Sequence, residues 1–186
     1  MNRKVIEWPD KRLRLNNEQI ENVDDVQDLI KDLIDTCNVA MGAGLAAPQI
    51  GVNKQVVVIK PTVFGKENPD PSSYNDNFMV LINPVLSNQG ESIEWKEACL
   101  SVPGIEGKVS RSEITMVKYT SETGEEKRFL AEWPFSGGLQ HECDHLEGKL
   151  YFHRMGKKKG AWLLDRWRRK KRKDRIKAKR AKRAQR

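Results

Sequence analysis

Helical spacing of apolar residues appears early in the chain, at Val23, Val26, Ile30, Leu33, Ile34 and Cys37. Steps of three and four place these side chains on one face, predicting an amphipathic helix from about Asn22 to Met41, closed by Gly42. Further on, short runs rich in β-branched and aromatic residues predict strands at Gln55–Lys60, Phe78–Ile82, Ile114–Tyr119 and Arg128–Trp133. Between the first two, Lys66–Asn77 carries Pro69, Pro71, Ser72 and Ser73 and is predicted to be an exposed loop. A second helix is predicted from about Ser136 to Leu150. No segment repeats. The pattern predicts an α+β fold, with strands in mixed or antiparallel sheets packed around a central helix.

Charge divides this chain of 186 residues. Arg154–Arg186 holds 18 Lys+Arg and 2 Asp, a net of +16; the whole chain is +8, so residues 1–153 carry 8 − 16 = −8. The predicted organisation is therefore one compact domain over residues 1–153 and a basic helical tail over 154–186. A domain of this size buries roughly 70% of its unfolded surface and needs no covalent staples. The tail has no proline, and Ala, Lys and Arg favour helix. Leu163, Leu164 and Trp167 are expected to pack one turn of it on the domain, and Trp162 and Trp167 to serve as core anchors before they serve as stacking platforms for bases. Beyond them Ile176 is the one large apolar side chain, so self-repulsion frays the helix when it is free. Such a run binds polyanions, through Arg168, Arg169, Lys170, Lys171, Arg172 and Lys173; the competing readings are a solubilising tail and contact with an acidic membrane surface. Three widely spaced cysteines argue for a reducing compartment. With no signal-peptide pattern at Met1–Pro9 and no run of about 18 apolar residues, the expectation is a cytoplasmic chain without a membrane span.

The chemistry concentrates in Gln140–Leu146, where His141, Glu142 and His145 form H-E-x-x-H. Histidines four apart lie about 40° apart around a helix, so two imidazoles reach one cation while the adjacent carboxylate handles a proton. A third ligand is then required. Downstream, Tyr151 stands where long-motif zinc proteases place a histidine, His153 is out of register, and no glutamate follows Glu147. The ligand is expected upstream. Cys143 lies about 200° around the helix from His141 and faces away. Cys37 belongs to the apolar face of the first helix. Cys99, ahead of the Pro103-Gly104 turn, reads equally well as an exposed thiolate or as a small buried residue.

Three segments together resemble the peptide deformylase family: Gly42-Ala43-Gly44-Leu45-Ala46-Ala47-Pro48-Gln49-Ile50-Gly51, Glu97-Ala98-Cys99-Leu100-Ser101 and Gln140-His141-Glu142-Cys143-Asp144-His145. The likeness runs from about Ile6 to about Met155 and includes Leu81-Ile82-Asn83-Pro84. It implies Cys99, His141 and His145 as ligands of one divalent metal on the central helix, normally iron(II), with zinc, nickel or cobalt able to replace it. Glu142 is implied as the catalytic carboxylate, and the Gln49 amide and Leu100 backbone N–H as donors to the reacting carbonyl. Ala43, Gly44, Leu45 and Gly138 are implied against the bound peptide, and Glu97 with Arg111 as a brace for the ligand loop. The implied reaction is hydrolytic removal of the formyl group from the initiator methionine of a nascent peptide. The basic tail resembles the segment by which bacterial members dock on the ribosome, through RNA or an exit-site protein. Two departures stand out. Glu106 occupies a position where the family commonly has arginine, and Gly137-Gly138 replaces bulkier residues of the methionine pocket. The glycines are expected to loosen that wall. An endopeptidase with similar parts, and a catalytically silent ribosome-binding scaffold, are the competing functions.

Overall fold

The computed structural model describes residues 1–67 and 77–184, so most of the predicted loop at Lys66–Asn77 lies outside the described residues. The elements are α1 (Gln27–Val39), β1 (Gly44–Ala46), β2 (Val56–Ile59), β3 (Met79–Glu97), β4 (Gly107–Thr120), β5 (Glu126–Glu132), α2 (Phe135–Leu146), α3 (Tyr151–Arg154) and α4 (Lys157–Ala184). Short 3-10 turns occur at Lys11–Arg14, Val23–Val26, Ala47–Ile50 and Pro61–Phe64. The strands form one five-stranded antiparallel sheet in chain order, β1 to β5.

The central strands explain their own composition. Val56 and Val58 of β2, with Val80 and Ile82 of β3, point into a cluster with Ile30, Leu33 and Ile34 of α1. Their neighbours Val57, Ile59, Met79 and Leu81 point the other way, into a cluster with Phe135, Leu139 and Leu146 of α2. A strand covered on both faces reads as a continuous apolar run, and Val56–Ile59 is buried at every position. A third cluster joins Trp8, Cys99, Val102 and Val109 to Leu150, Tyr151 and Phe152 and to Leu163 and Trp167 of α4. The first turns of the basic helix are thus packed through Leu163 and Trp167, whereas Trp162, expected as a second anchor, is 59% exposed with the Arg166 guanidinium over its ring.

β3 and β4 extend well beyond the predicted Phe78–Ile82 and Ile114–Tyr119. The added part of β3 is polar and largely exposed through Ser87–Glu91, and it is carried by backbone pairing to β4 rather than by an apolar face. Two bulges bend this hairpin, between Ile82 and Val85 and between Gln89 and Ser92. At the first, Asn83 adopts φ 50, held by reciprocal 2.8 Å hydrogen bonds between its amide and the backbone of Ile20.

Two helix ends differ from expectation. The residue that leaves α1 in the left-handed region is Met41 (φ 53), with the Gly42 N–H reaching back to the Cys37 carbonyl at 2.9 Å. Gly42 is small for another reason: a Cβ there would lie 3.0 Å from Leu100 Cδ1. α2 stops at Leu146, before the predicted Leu150, because the chain turns at Gly148 (φ 66) tightly against the backbone of Arg14.

Candidate metal centre and substrate cleft

All twelve residues of α2 are buried, as expected of a helix enclosed by sheet, loop and neighbouring helices. His141 and His145 present their rings from one face, with centroids 5.3 Å apart. The stretch after β3 brings Cys99 to the same point: its Sγ lies 3.4 Å from His145 Nε2, and the ligating atoms of Cys99, His141 and His145 all fall within 4.8 Å of one another. One thiol and two imidazoles suit a borderline divalent ion, and three donors from a closed protein wall leave room for a reactant. Here the two readings of Cys99 merge, since it is both buried and aimed at the imidazoles.

The rings are fixed from behind. His141 donates from Nδ1 to Glu97 Oε2 at 2.6 Å, which leaves Nε2 for the centre. Glu97 also accepts from Trp95 Nε1 at 2.8 Å and from Arg111 Nε and Nη2 at 2.7 and 3.0 Å. Arg111 continues to Asp144 at 2.6 Å, and Asp144 is clamped from its other side by Arg154. The expected Glu97–Arg111 pair is therefore one segment of a longer chain of charges. Burial alone would raise the Glu97 carboxyl, but His141 and Arg111 hold it down at about 2. Burial likewise opposes the Cys99 thiolate, and the imidazoles of His145 and His141 bring it down to about 5. Cys143 and Cys37 lack such neighbours; burial pushes both up, Cys37 to about 12.

Glu142 stands beside the ligands with a different environment. Burial raises its carboxyl, although the imidazoles of His141 and His145 pull the other way, and its Oε2 has no hydrogen-bond partner among the described residues. Gly44 makes its approach feasible, because a Cβ at 44 would lie 2.8 Å from Glu142 Oε1. Gln49 is oriented by its own oxygen, which accepts the Ala46 N–H at 2.8 Å, so that Nε2 faces Cys99 Sγ at 3.6 Å and Ser101 Oγ at 3.3 Å.

The polypeptide deformylase family model matches residues 2–161. The chain belongs to that family. It is 42% identical over 157 residues to peptide deformylase 1 of Prochlorococcus marinus, covering 77% of this chain and 79% of that one. Over 148 residues it is 38% identical to the peptide deformylase of a Picosynechococcus, covering 78% and 75%. Among solved structures, the peptide deformylase of Ehrlichia chaffeensis superposes with a TM-score of 0.80 at 32% identity, covering 94% of this chain and 99% of that one. A peptide deformylase from Synechococcus elongatus in complex with actinonin gives 0.74 at 32% identity over 88% and 84%. Deformylases are metal-dependent hydrolases, in keeping with a Cys-His-His group beside a buried carboxylate.

A cleft of about 460 Å³ opens on this group. Ala43, Gly44, Gln49, Leu100 and Gly138 line it together with Cys99, His141 and Glu142. Leu45 does not; its side chain is fully buried in the α1 cluster. Cys143 faces a separate polar hollow across α2, as the helical geometry requires. Glu106 lies outside this cleft, in a neighbouring depression that also contains Arg166 of α4. Gly137 and Gly138 do not loosen the wall. A Cβ at Gly138 would lie 2.4 Å from the Phe64 ring and one at Gly137 2.8 Å from Trp133, so aromatic rings from elsewhere occupy that space. Phe64 and Trp95 also line the cleft, and neither belongs to a motif that would mark it in the sequence. Asp144 and Ser101 lie inside the histidine and cysteine segments, as polar residues that the fold buries.

Proposed function

We propose that this chain removes the formyl group from the N-terminal formyl-methionine of nascent peptides, using Glu142 as its proton carrier. The observation that carries this reading is the convergence of Cys99, His141 and His145 beside the buried Glu142 carboxylate, whose Oε2 has no hydrogen-bond partner among the described residues, in the wall of a cleft. Cys99, His141 and His145 would hold one divalent ion, iron(II) in the cell, with zinc or nickel able to take its place. When bound, that ion supplies Lewis acidity to a water and to the formyl oxygen.

The protein's own groups then divide the work. Glu142, raised by burial, takes a proton from water as the water oxygen attacks the formyl carbon. The Gln49 amide and the Leu100 backbone N–H donate to the oxygen that gains charge; losing one such donor typically costs about 10²–10³ in turnover. Glu142 passes the proton to the departing amine as the C–N bond breaks, releasing formate and a peptide with a free N-terminus. Glu97 keeps the His141 ring in one tautomer throughout.

We further propose that Arg168, Arg169, Lys170, Lys171, Arg172 and Lys173 bind ribosomal RNA at the peptide exit. Support comes from α4, whose side chains from Arg172 to Arg180 are all exposed after the packed turn at Trp167. Three free cysteines fit a reducing compartment, the cytoplasm; among the described residues no helix is long and apolar enough to cross a membrane.

The test is a formyl-Met-Ala-Ser assay on protein purified without oxygen, with elemental analysis of its metal. Release of formate by the wild type, and its loss in Glu142→Ala with metal content retained, is the expected result. Cleavage of unformylated internal peptide bonds instead would replace this reading with an endopeptidase.

A further inference from the structure

The cleft wall over α2 is assembled from two parts that are far apart in the chain. Gly138 contributes no side chain. The Phe64 ring fills that space so closely that a Cβ on residue 138 would meet its Cζ at 2.4 Å and its Cε1 at 2.7 Å. Phe64 is the last residue of the Pro61–Phe64 turn, which ends at Gly65 with φ 69. Its ring packs on Phe135 with centroids 5.8 Å apart and touches the cluster beneath α2 while remaining partly accessible. Phe64 and Gly138 both line the cleft that also contains Glu142 and Cys99.

We propose that Phe64 sets which first-residue side chain the cleft accepts. The ring, seated over Gly138, limits the pocket to a slender unbranched chain such as that of methionine and excludes an aromatic one. This inference rests on the deformylase reading above and adds the residue that determines its specificity. The physical basis is that a phenyl ring is itself the wall. Removing it opens an apolar volume continuous with the cleft, about the size of the ring an aromatic substrate would bring. Hydrophobic pockets discriminate by roughly 10–200-fold per methylene, so a whole ring is more than enough to move the preference.

The experiment measures kcat/KM for formyl-Met-Ala-Ser and formyl-Phe-Ala-Ser on wild type, Phe64→Ala, Phe64→Leu, Gly138→Ala and the Phe64→Ala/Gly138→Ala double variant. Calorimetric binding of the products Met-Ala-Ser and Phe-Ala-Ser is measured in parallel. Phe64→Ala is expected to raise the Phe/Met ratio by about tenfold or more, and Phe64→Leu to raise it less. Gly138→Ala collides with the ring and lowers turnover of the methionine substrate; the double variant, lacking the ring, recovers it. A merely structural Phe64 would depress both substrates alike and leave the ratio within about twofold, whether or not the double variant recovers turnover, and that result overturns the proposal. If the wild type releases no formate, the deformylase reading falls, and the ratio of product affinities alone decides whether Phe64 forms the wall.

Discussion

His141 and Glu97 meet across 2.6 Å in the buried interior, the imidazole Nδ1 donating and the carboxylate accepting. Because Glu97 is also gripped by Arg111, the His141 ring is held in one orientation before any metal arrives. Glu97→Gln keeps the shape but removes the negative charge behind the ring. Metal affinity is expected to fall about 10–100-fold, as read by competition with a chromophoric chelator. Arg111 retains Asp144, so the variant remains folded. Unchanged affinity would mean that the contact orients nothing the metal needs.

Gly44 offers a way to disturb Glu142 without touching its chemistry. A methyl group at 44 would lie 2.8 Å from Glu142 Oε1 and equally close to its Cγ, so the carboxylate has to move. Gly44→Ala is expected to lower kcat by about 10²–10⁴, the range for losing a positioned proton carrier, with metal content unchanged. Full activity would show that Glu142 has freedom the packing does not reveal.

The helix carrying His141, Glu142 and His145 was readable from spacing alone, since four residues of separation fix the geometry of one helical face. Cys99 was not readable that way. Its role depends on the turn after β3 and on α2 meeting in space, and only the likeness to a family supplied that before coordinates. The predicted strands reached only as far as apolar residues did, and the polar extension of β3 past Ile82 gave no such signal because backbone pairing holds it. Gly137 and Gly138 show the same limit from another side. A missing side chain is visible in a sequence, but the ring that fills its place belongs to Phe64 or Trp133 and is visible only in the fold.

The N-terminal strap joins both halves of the cleft. Ile6 N–H donates to the Gln49 carbonyl at 2.8 Å and Trp8 N–H to the Ser101 carbonyl at 2.9 Å. The strap is tied to α1 at Asp32, whose carboxyl is held below its ordinary 3.8 by the N-terminal ammonium and, against burial, by Arg3. A depressed carboxylate contributes stability that is complete above the unfolded value and lost as pH falls through the folded one. At neutral pH, Asp32→Asn is therefore expected to speed hydrogen exchange at the Ile6 and Trp8 amides. As pH drops below 3.8 the wild type loses the same contribution and its difference from the variant closes. A difference that persists undiminished in acid would assign the effect to packing. The change is modest, because the cations that hold Asp32, Arg3 and the terminal ammonium, are themselves exposed to solvent.

α4 separates stability from polyanion binding along its length. Leu163 and Trp167 are buried in the cluster that contains Cys99 and Tyr151, and Trp167→Ala is expected to cost about 3–5 kcal/mol. Deleting residues 157–186 removes both anchors and should lower Tm sharply. Arg168, Arg172 and Lys173 are exposed, and their joint replacement by glutamine should leave stability within about 0.5 kcal/mol per site. If they contact ribosomal RNA, that triple variant loses affinity and its log–log salt slope shrinks by about 2–3, since each neutralised phosphate contributes roughly 0.7–0.9. Ribosome co-sedimentation and RNA titration over a KCl series read this directly. An unchanged slope would place the contact on other cations or on none. Loss of binding only together with loss of Tm would show that the helix matters as packing, because a solvated charge that binds phosphate can be removed without the core noticing.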